Sequence, residues 1–415
     1  MTANKDSARM TRRQFLRTAA ALGGAAAAGS LLAACGAPGL GGASGPLKIG
    51  LLVPSSGIYA ALGESITNGM KMYLDSVNNK AGGRDIQLIA EDEGTDPQPA
   101  AQKARKLVEQ DQVDLVAGIV SSGVAGAIRD YFNDNKKFLI LANAGADALT
   151  RKAKSQYIFR ASFSNWQPNW PMGKWVAENI GKKAFISVPD YAAGAETVSA
   201  FRNSFEAAGG QVLKVQKTPF PNIGDPAPFL TDIKATAPEL VYAFYSGAAA
   251  TTFVKAYADF GLSKSIPLTG SGFMVEQDVL PALGDTALGV KSCLHWALSL
   301  DNAENKAFAD AYQKRTSKVA NVFAVQGYDT ARLIVEGLNA VQGDSGKADA
   351  FADALGKVSF ASPRGAFKMD PNTHNTINHI YVREVKKNGD TLGNVVVADL
   401  GEVPDPGDDS KDTKA

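Results

Sequence analysis

The 415-residue chain holds only two cysteines and three histidines. Two cysteines allow at most one disulfide. Of the histidines, His374 and His379 stand five apart, which in a strand puts their rings on opposite faces and excludes a shared metal. Net charge is also nearly absent, at a formal +1. Within it, residues 1–34 carry Lys5, Arg9, Arg12, Arg13 and Arg17 against Asp6, a net +4, so the remainder is near −3. No basic excess is left to suggest a nucleic-acid partner. Catalytic signatures are missing too. The stretch Gly118-Ile-Val-Ser-Ser lacks the final glycine of a nucleophile elbow, and neither a Walker loop nor a Gly-x-Gly-x-x-Gly turn follows a strand. Glu91-Asp92-Glu93 has no identifiable partner acid, and its side chains alternate faces, so it reads as a solvated strand end. The sequence thus offers no catalytic residue, no metal ligands and no cofactor site.

What is present begins with a processing segment. Thr11-Arg-Arg-Gln-Phe-Leu-Arg17 resembles a twin-arginine export signal, and residues 18–34 form an apolar run rich in Ala and Gly. That run is shorter than the ~20 residues a membrane-spanning helix needs. It ends in Leu32-Ala-Ala-Cys35, which is similar to the bacterial lipobox, so Cys35 is the expected lipidation site. Cys293 is then left alone and reads as a buried small hydrophobe. Residues 1–34 are the expected signal peptide, and 35–46, rich in Gly, Ala and Pro, a lipidated tether.

A composition of 45% hydrophobic and 20% charged residues is that of a globular protein, and the length suggests two or three domains. From residue 47 onward, short apolar runs alternate with segments of helical spacing. Ile66, Met70, Tyr73 and Val77 mark one helix face. Strands near 47–53, 86–90, 115–120 and 138–141 alternate with helices. The pattern restarts after residue 157, with strands near 184–188, 212–215, 240–244 and 266–269. Such alternation means parallel sheets covered by helices, an α/β architecture used twice. Beyond it come a strand near 290–296, helices near 305–315, 324–341 and 349–356, and antiparallel strands near 365–369, 378–385 and 394–400.

In each half a buried strand ends in Ser-Gly and hands over to an alanine-rich helix: Gly118-Ile-Val-Ser-Ser-Gly123, and Leu240-Val-Tyr-Ala-Phe-Tyr-Ser-Gly247. The first amides of a helix lack partners within the helix, and the helix dipole places positive charge there. Ser122 and Ser246 are therefore candidates to hold a carboxylate or carbonyl oxygen, two lobes facing one ligand.

These motifs, with Leu47-Lys-Ile-Gly-Leu-Leu-Val-Pro-Ser-Ser-Gly57, Val188-Pro-Asp-Tyr-Ala-Ala-Gly194 and Ala324-Val-Gln-Gly-Tyr-Asp-Thr330, resemble the branched-chain amino acid type of solute-binding proteins of ABC transporters. The resemblance covers nearly the whole chain after the tether. It implies the two-lobe periplasmic-binding-protein type I fold, with crossings expected near 160–163, 293–296 and 359–365. Lobe 1 is then 47–162 plus 297–361, lobe 2 is 163–296 plus 362–401, and 402–415 form a disordered tail. It further implies an exported, lipid-anchored, monomeric protein without cofactor, whose partners are a small solute and ABC permease and ATPase subunits. Carried over by position, the carboxylate grip falls on Ser121, Ser122 and Gly123 with the backbone at Ala144 and Gly145. Tyr59 and Leu62 lie over the ligand, and Tyr191, Tyr245, Ser246 and Gly247 close on it. Trp166 stands near a crossing, where it stacks on a ring or fills a core.

One departure bears on the ligand. Amino-acid binders of the family place an acid after the strand that here reads Thr269-Gly-Ser-Gly-Phe-Met274. Without it a buried ammonium lacks a charge partner; Glu276 is the nearest substitute. Tyr59, Tyr191, Tyr245 and Phe273 offer aromatic walls, and the segments at 294–306 and 362–374 look like the subgroup that binds aromatic carboxylates and amides. The expected ligand is an aromatic or other amine-free carboxylate, with His295 as a polar contact, in preference to a branched-chain amino acid. The same fold also serves as the sensing lobe of receptors and amide-responsive regulators, the alternative function.

Overall fold

The computed structural model describes residues 45–389 and 391–407, which form one unit. Cys35, the signal segment and most of the tether lie outside the described residues. The first lobe contains β1 (Leu47–Val53), α1 (Ala60–Ser76), β2 (Arg84–Asp92), α2 (Pro97–Arg105), β3 (Leu115–Gly118), α3 (Ser122–Asp134), β4 (Phe138–Leu141) and β5 (Ile158–Arg160). The second repeats the series with α4 (Trp166–Asn179), β6 (Lys183–Pro189), α5 (Ala192–Ala207), β7 (Gln211–Thr218), α6 (Ala227–Thr236), β8 (Leu240–Ala243), α7 (Gly247–Asp259), β9 (Leu268–Ser271) and β10 (Lys291–Leu294). Then follow α8 (Ala303–Thr316), α9 (Val322–Ala340), α10 (Ala348–Gly356), β11 (Ser359–Ser362), β12 (Gly365–Asp370), β13 (Asn375–Asn388) and β14 (Thr391–Val403).

Both lobes lay their parallel strands in the same order. In the first it is β2-β1-β3-β4-β5, and in the second β7-β6-β8-β9-β10. Central strands β3, β4 and β8 are buried at every residue, which is why they read as unbroken apolar runs; helices cover both faces. In each lobe the order reverses beside the first strand, and the crevice outside the carboxyl ends at that point is where ligands of open α/β sheets bind. The two Ser-Gly junctions lie there, one on each lobe.

Helix α9 returns to the first lobe and crosses α1 at a pair of glycines. A Cβ on Gly69 would stand 1.9 Å from the Ala324 carbonyl oxygen, and one on Gly327 2.0 Å from that of Ile66. Such an approach admits no side chain at either position.

Two boundaries differ from the sequence expectation. The turn at 362–365 joins β11 and β12 in a hairpin of the first lobe's sheet (Phe360 opposite Phe367), so it is no crossing. The third crossing lies inside β13, which meets β5 at Asn375–Arg160 and, further along, β10 at Val382–Cys293. One strand thus serves both sheets, and periodicity alone does not reveal where a strand changes sheet. Of the expected tail, residues 402–407 are ordered and 408–415 lie outside the described residues: Val403 accepts a hydrogen bond from Gln167 Nε2 at 2.6 Å. Asp405 is buried near Arg151 (3.6 Å) and Arg160 (3.9 Å). A charged, proline-bearing segment reads as solvated until its acid finds two buried guanidinium groups.

Candidate functional site

Between the lobes lies a narrow chamber, partly open to solvent, lined by Tyr59, Val120, Ser122, Asn143, Gly145 and Phe163 among others of the first lobe and crossings, and by Tyr191, Phe244, Ser246 and Phe273 of the second. The lobes touch across it. Tyr59 Oη and Tyr191 Oη are 3.3 Å apart, and Phe220 stacks on Tyr191 with ring centroids 4.2 Å apart. Gly247, at φ +58°, brings the start of α7 so close to the first lobe that a Cβ there would stand 2.3 Å from the Ile58 carbonyl oxygen. Phe273 packs against Phe163 (5.0 Å) and edge-on to Phe244 (6.5 Å), giving the chamber aromatic walls.

The junction at Ser122 is built for an acceptor. Ser121 caps α3, its Oγ accepting from the Val124 amide at 3.4 Å. Glu93 accepts from the amides of Val120 (2.7 Å) and Ser121 (2.8 Å) and so fixes the turn. Its side chain is buried, correcting the reading of a solvated strand end, and burial pushes the carboxyl up to about 8. Ser122 Oγ accepts from Asn165 Nδ2 at 3.4 Å, so the hydroxyl proton remains to be donated into the chamber. Asn165 Nδ2 also donates to Glu196 Oε2 at 2.6 Å. Glu196 Oε1 accepts from the Asp147 amide at 3.0 Å, tying α5 of the second lobe to the first.

Of the residues expected from sequence, Tyr59, Ser122, Gly145, Tyr191, Ser246 and Phe273 line the chamber. The others lie beside or behind it. Ser121 is the cap, Gly123 sits in the first turn of α3, and Gly247 meets Ile58. Leu62 and Ala144 are buried in the first lobe's cores. Tyr245 turns into the second lobe, its hydroxyl 2.9 Å from Ser187 Oγ and 3.2 Å from Thr218 Oγ1, while its neighbour Phe244 lines the chamber. Trp166 stacks on Trp170 at 5.3 Å and is not a lining residue. His295 lies fully buried behind Phe163, with ring centroids 5.5 Å apart. Glu276 follows a 3-10 turn and is wholly buried, paired with Arg383 Nη1 at 2.7 Å and accepting from the Val322 amide at 3.0 Å, so it is not available to an ammonium. Asn143, Phe163 and Asn165 were not anticipated; their signal is position, just after β4 and β5, at carboxyl ends of strands.

Comparison with known proteins agrees with this fold. The family model described as periplasmic binding protein matches residues 46–390. A Leu/Ile/Val-binding protein homologue of Brucella melitensis is 31% identical over 87% of this chain and 93% of its own length. A solved ABC-transporter solute-binding protein of R. palustris, in complex with benzoate, is 39% identical over 86% of this chain and 98% of its own, with a TM-score of 0.82. Another from Rhodopseudomonas palustris BisB5, in complex with 3,4-dihydroxybenzoic acid, is 32% identical over 87% and 99%, with a TM-score of 0.83.

Proposed function

The chain belongs to the type I periplasmic binding proteins of the leucine-binding family, and on that premise we propose that it is the extracytoplasmic binding component of an ABC importer, capturing an aromatic or related amine-free carboxylate between its lobes. The observation that carries the reading is the neutral lining. Every named residue of the chamber wall is uncharged, and the neighbouring acids are committed elsewhere: Glu93 to two amides, Glu196 to Asn165 and the Asp147 amide, Glu276 to Arg383. A ligand ammonium would lose its hydration without gaining a counter-charge, at a cost of several kcal/mol. A carboxylate instead meets the Ser122 hydroxyl and the amino-terminal end of α3, and an aromatic ring meets Phe163, Phe244 and Phe273. The solved relatives that hold benzoate and dihydroxybenzoate support the same ligand class. The twin-arginine signal and Cys35 support export and anchoring through lipid.

A thermal-shift screen of residues 36–415 tests this. A ligand at 100 times its dissociation constant stabilises by about 2.7 kcal/mol. Shifts with benzoates and none with leucine or valine are expected. A shift with leucine alone would restore the branched-chain reading that the curated relative's name favours.

A further inference from the structure

Asn143 stands just after β4 with its side chain held at one end. Its Nδ2 donates to Gln326 Oε1 at 2.7 Å, and Gln326 Nε2 lies 3.4 Å from His295 Nε2. Both partners are fully buried. Burial, with Arg364 and Arg383 nearby, holds the imidazole of His295 well below its ordinary pKa and therefore neutral. A neutral ring offers one acceptor nitrogen; Gln326 turns its NH2 toward Nε2, which makes Nε2 that acceptor and puts the ring proton on Nδ1, where it meets no partner among the described residues. The amide oxygen of Gln326 must then face Asn143, whose own NH2 meets it. Reversing Asn143 alone would set two oxygens against each other. In this orientation the chain of amides leaves Asn143 Oδ1, an acceptor that takes no hydrogen bond among the described residues, on a residue that lines the chamber.

We propose that Asn143 Oδ1 is a specificity determinant that accepts a hydrogen bond from a ring hydroxyl, so that the preferred solute is a hydroxylated aromatic acid rather than an unsubstituted one. This rests on the aromatic-carboxylate reading above. The Ser122 junction supplies donors and takes the carboxylate; Asn143 supplies the opposite polarity and takes the donor. A ring without a hydroxyl, or one whose hydroxyl is methylated, leaves the buried oxygen unpaired. Gln326 and His295 act as positioning residues that set which end of the Asn143 amide is presented.

The test is calorimetric titration of the purified protein with benzoate, its three monohydroxy isomers and their methyl ethers. One isomer is expected to bind about 10-fold or more tightly than benzoate and than its own ether. In Asn143→Leu the ratio of hydroxylated to unsubstituted affinity is expected to fall to near one, and in His295→Phe, which keeps the stack on Phe163, to shrink. Because the wild-type ratio is read without any variant, misfolding of Asn143→Leu leaves the test intact. Equal binding of benzoate and all isomers, or a ratio unchanged in Asn143→Leu, would overturn the assignment. Absence of binding by every aromatic acid would instead overturn the aromatic reading itself, and this assignment with it.

Discussion

Ser122 and Gly247 carry the site in different ways. Ser122 keeps its proton for a ligand because Asn165 already donates to its oxygen. Ser122→Ala removes that donor and leaves a bound oxygen unpaired, so affinity should drop by about 1–3 kcal/mol with the fold intact; calorimetry against the best ligand measures it, and unchanged affinity would make Ser122 a spacer. Gly247 contributes space. At φ +58° with an Ile58 oxygen 2.3 Å from where a Cβ would stand, Gly247→Ala forces the lobes apart as well as straining the backbone. Affinity should fall at least ~10-fold while circular dichroism stays that of the wild type. The serines and tyrosines of the site were legible because hydroxyls after a strand end are unusual within apolar runs. Tyr245 misled for a physical reason: past the end of β8 two adjacent aromatics face opposite ways, and the hydroxyl went to Ser187 and Thr218 inside the lobe. Asn143 was illegible because an amide shows no polarity in sequence; its partners Gln326 and His295 come from far along the chain.

At the scale of elements, α5 of the second lobe meets the 3-10 turn that starts at Asp147 in the first. Burial, with Glu196 beside it, raises the Asp147 carboxyl well above its ordinary pKa, and burial raises Glu196 as well. The other groups around the pair are Asn165, Arg151, Arg160 and Asp405. When the lobes separate, Glu196 leaves this surrounding and regains the usual carboxylate range. The closed form therefore binds more protons than the open one, so closure is favoured at low pH and weakened as pH rises through the raised values. Ligand affinity, which draws on closure, should decline as pH rises above the ordinary carboxylate range and through the raised values of this pair. In Glu196→Gln, whose side-chain oxygen still accepts from the Asp147 amide, the profile should flatten; an equal slope in the variant would place the proton elsewhere. None of this was readable beforehand, since Asp147 and Glu196 lie 49 residues apart and each is unremarkable in its own segment.

For the whole molecule, the repeat made the lobes legible: equal strand order follows from equal alternation of apolar runs and helical spacing. How the lobes are joined was less so, because the crossings are fixed by buried charge. Arg364 pairs with Asp329 and donates to the carbonyls of Ala161 and Ser162 at the first crossing. Arg383 pairs with Glu276 and donates to the carbonyls of Trp296 and Gly272, at the second crossing and beneath Phe273. Arg383 itself stands on β13, the third crossing, so one guanidinium ties two crossings and the chamber wall together. Its removal leaves Glu276 as an uncompensated charge in a dry interior. Arg383→Met should therefore cost about 3–5 kcal/mol in denaturant unfolding. Removing the acid as well, in Arg383→Met with Glu276→Leu, should recover part of that loss, because the pair then leaves no charge to be desolvated, and the groups it freed, the two carbonyls, Ser292 Oγ and the Val322 amide, are neutral. If the double variant is as unstable as the sum of the two single ones, the pair does not act as a unit, and its coupling contributes nothing to holding the crossings.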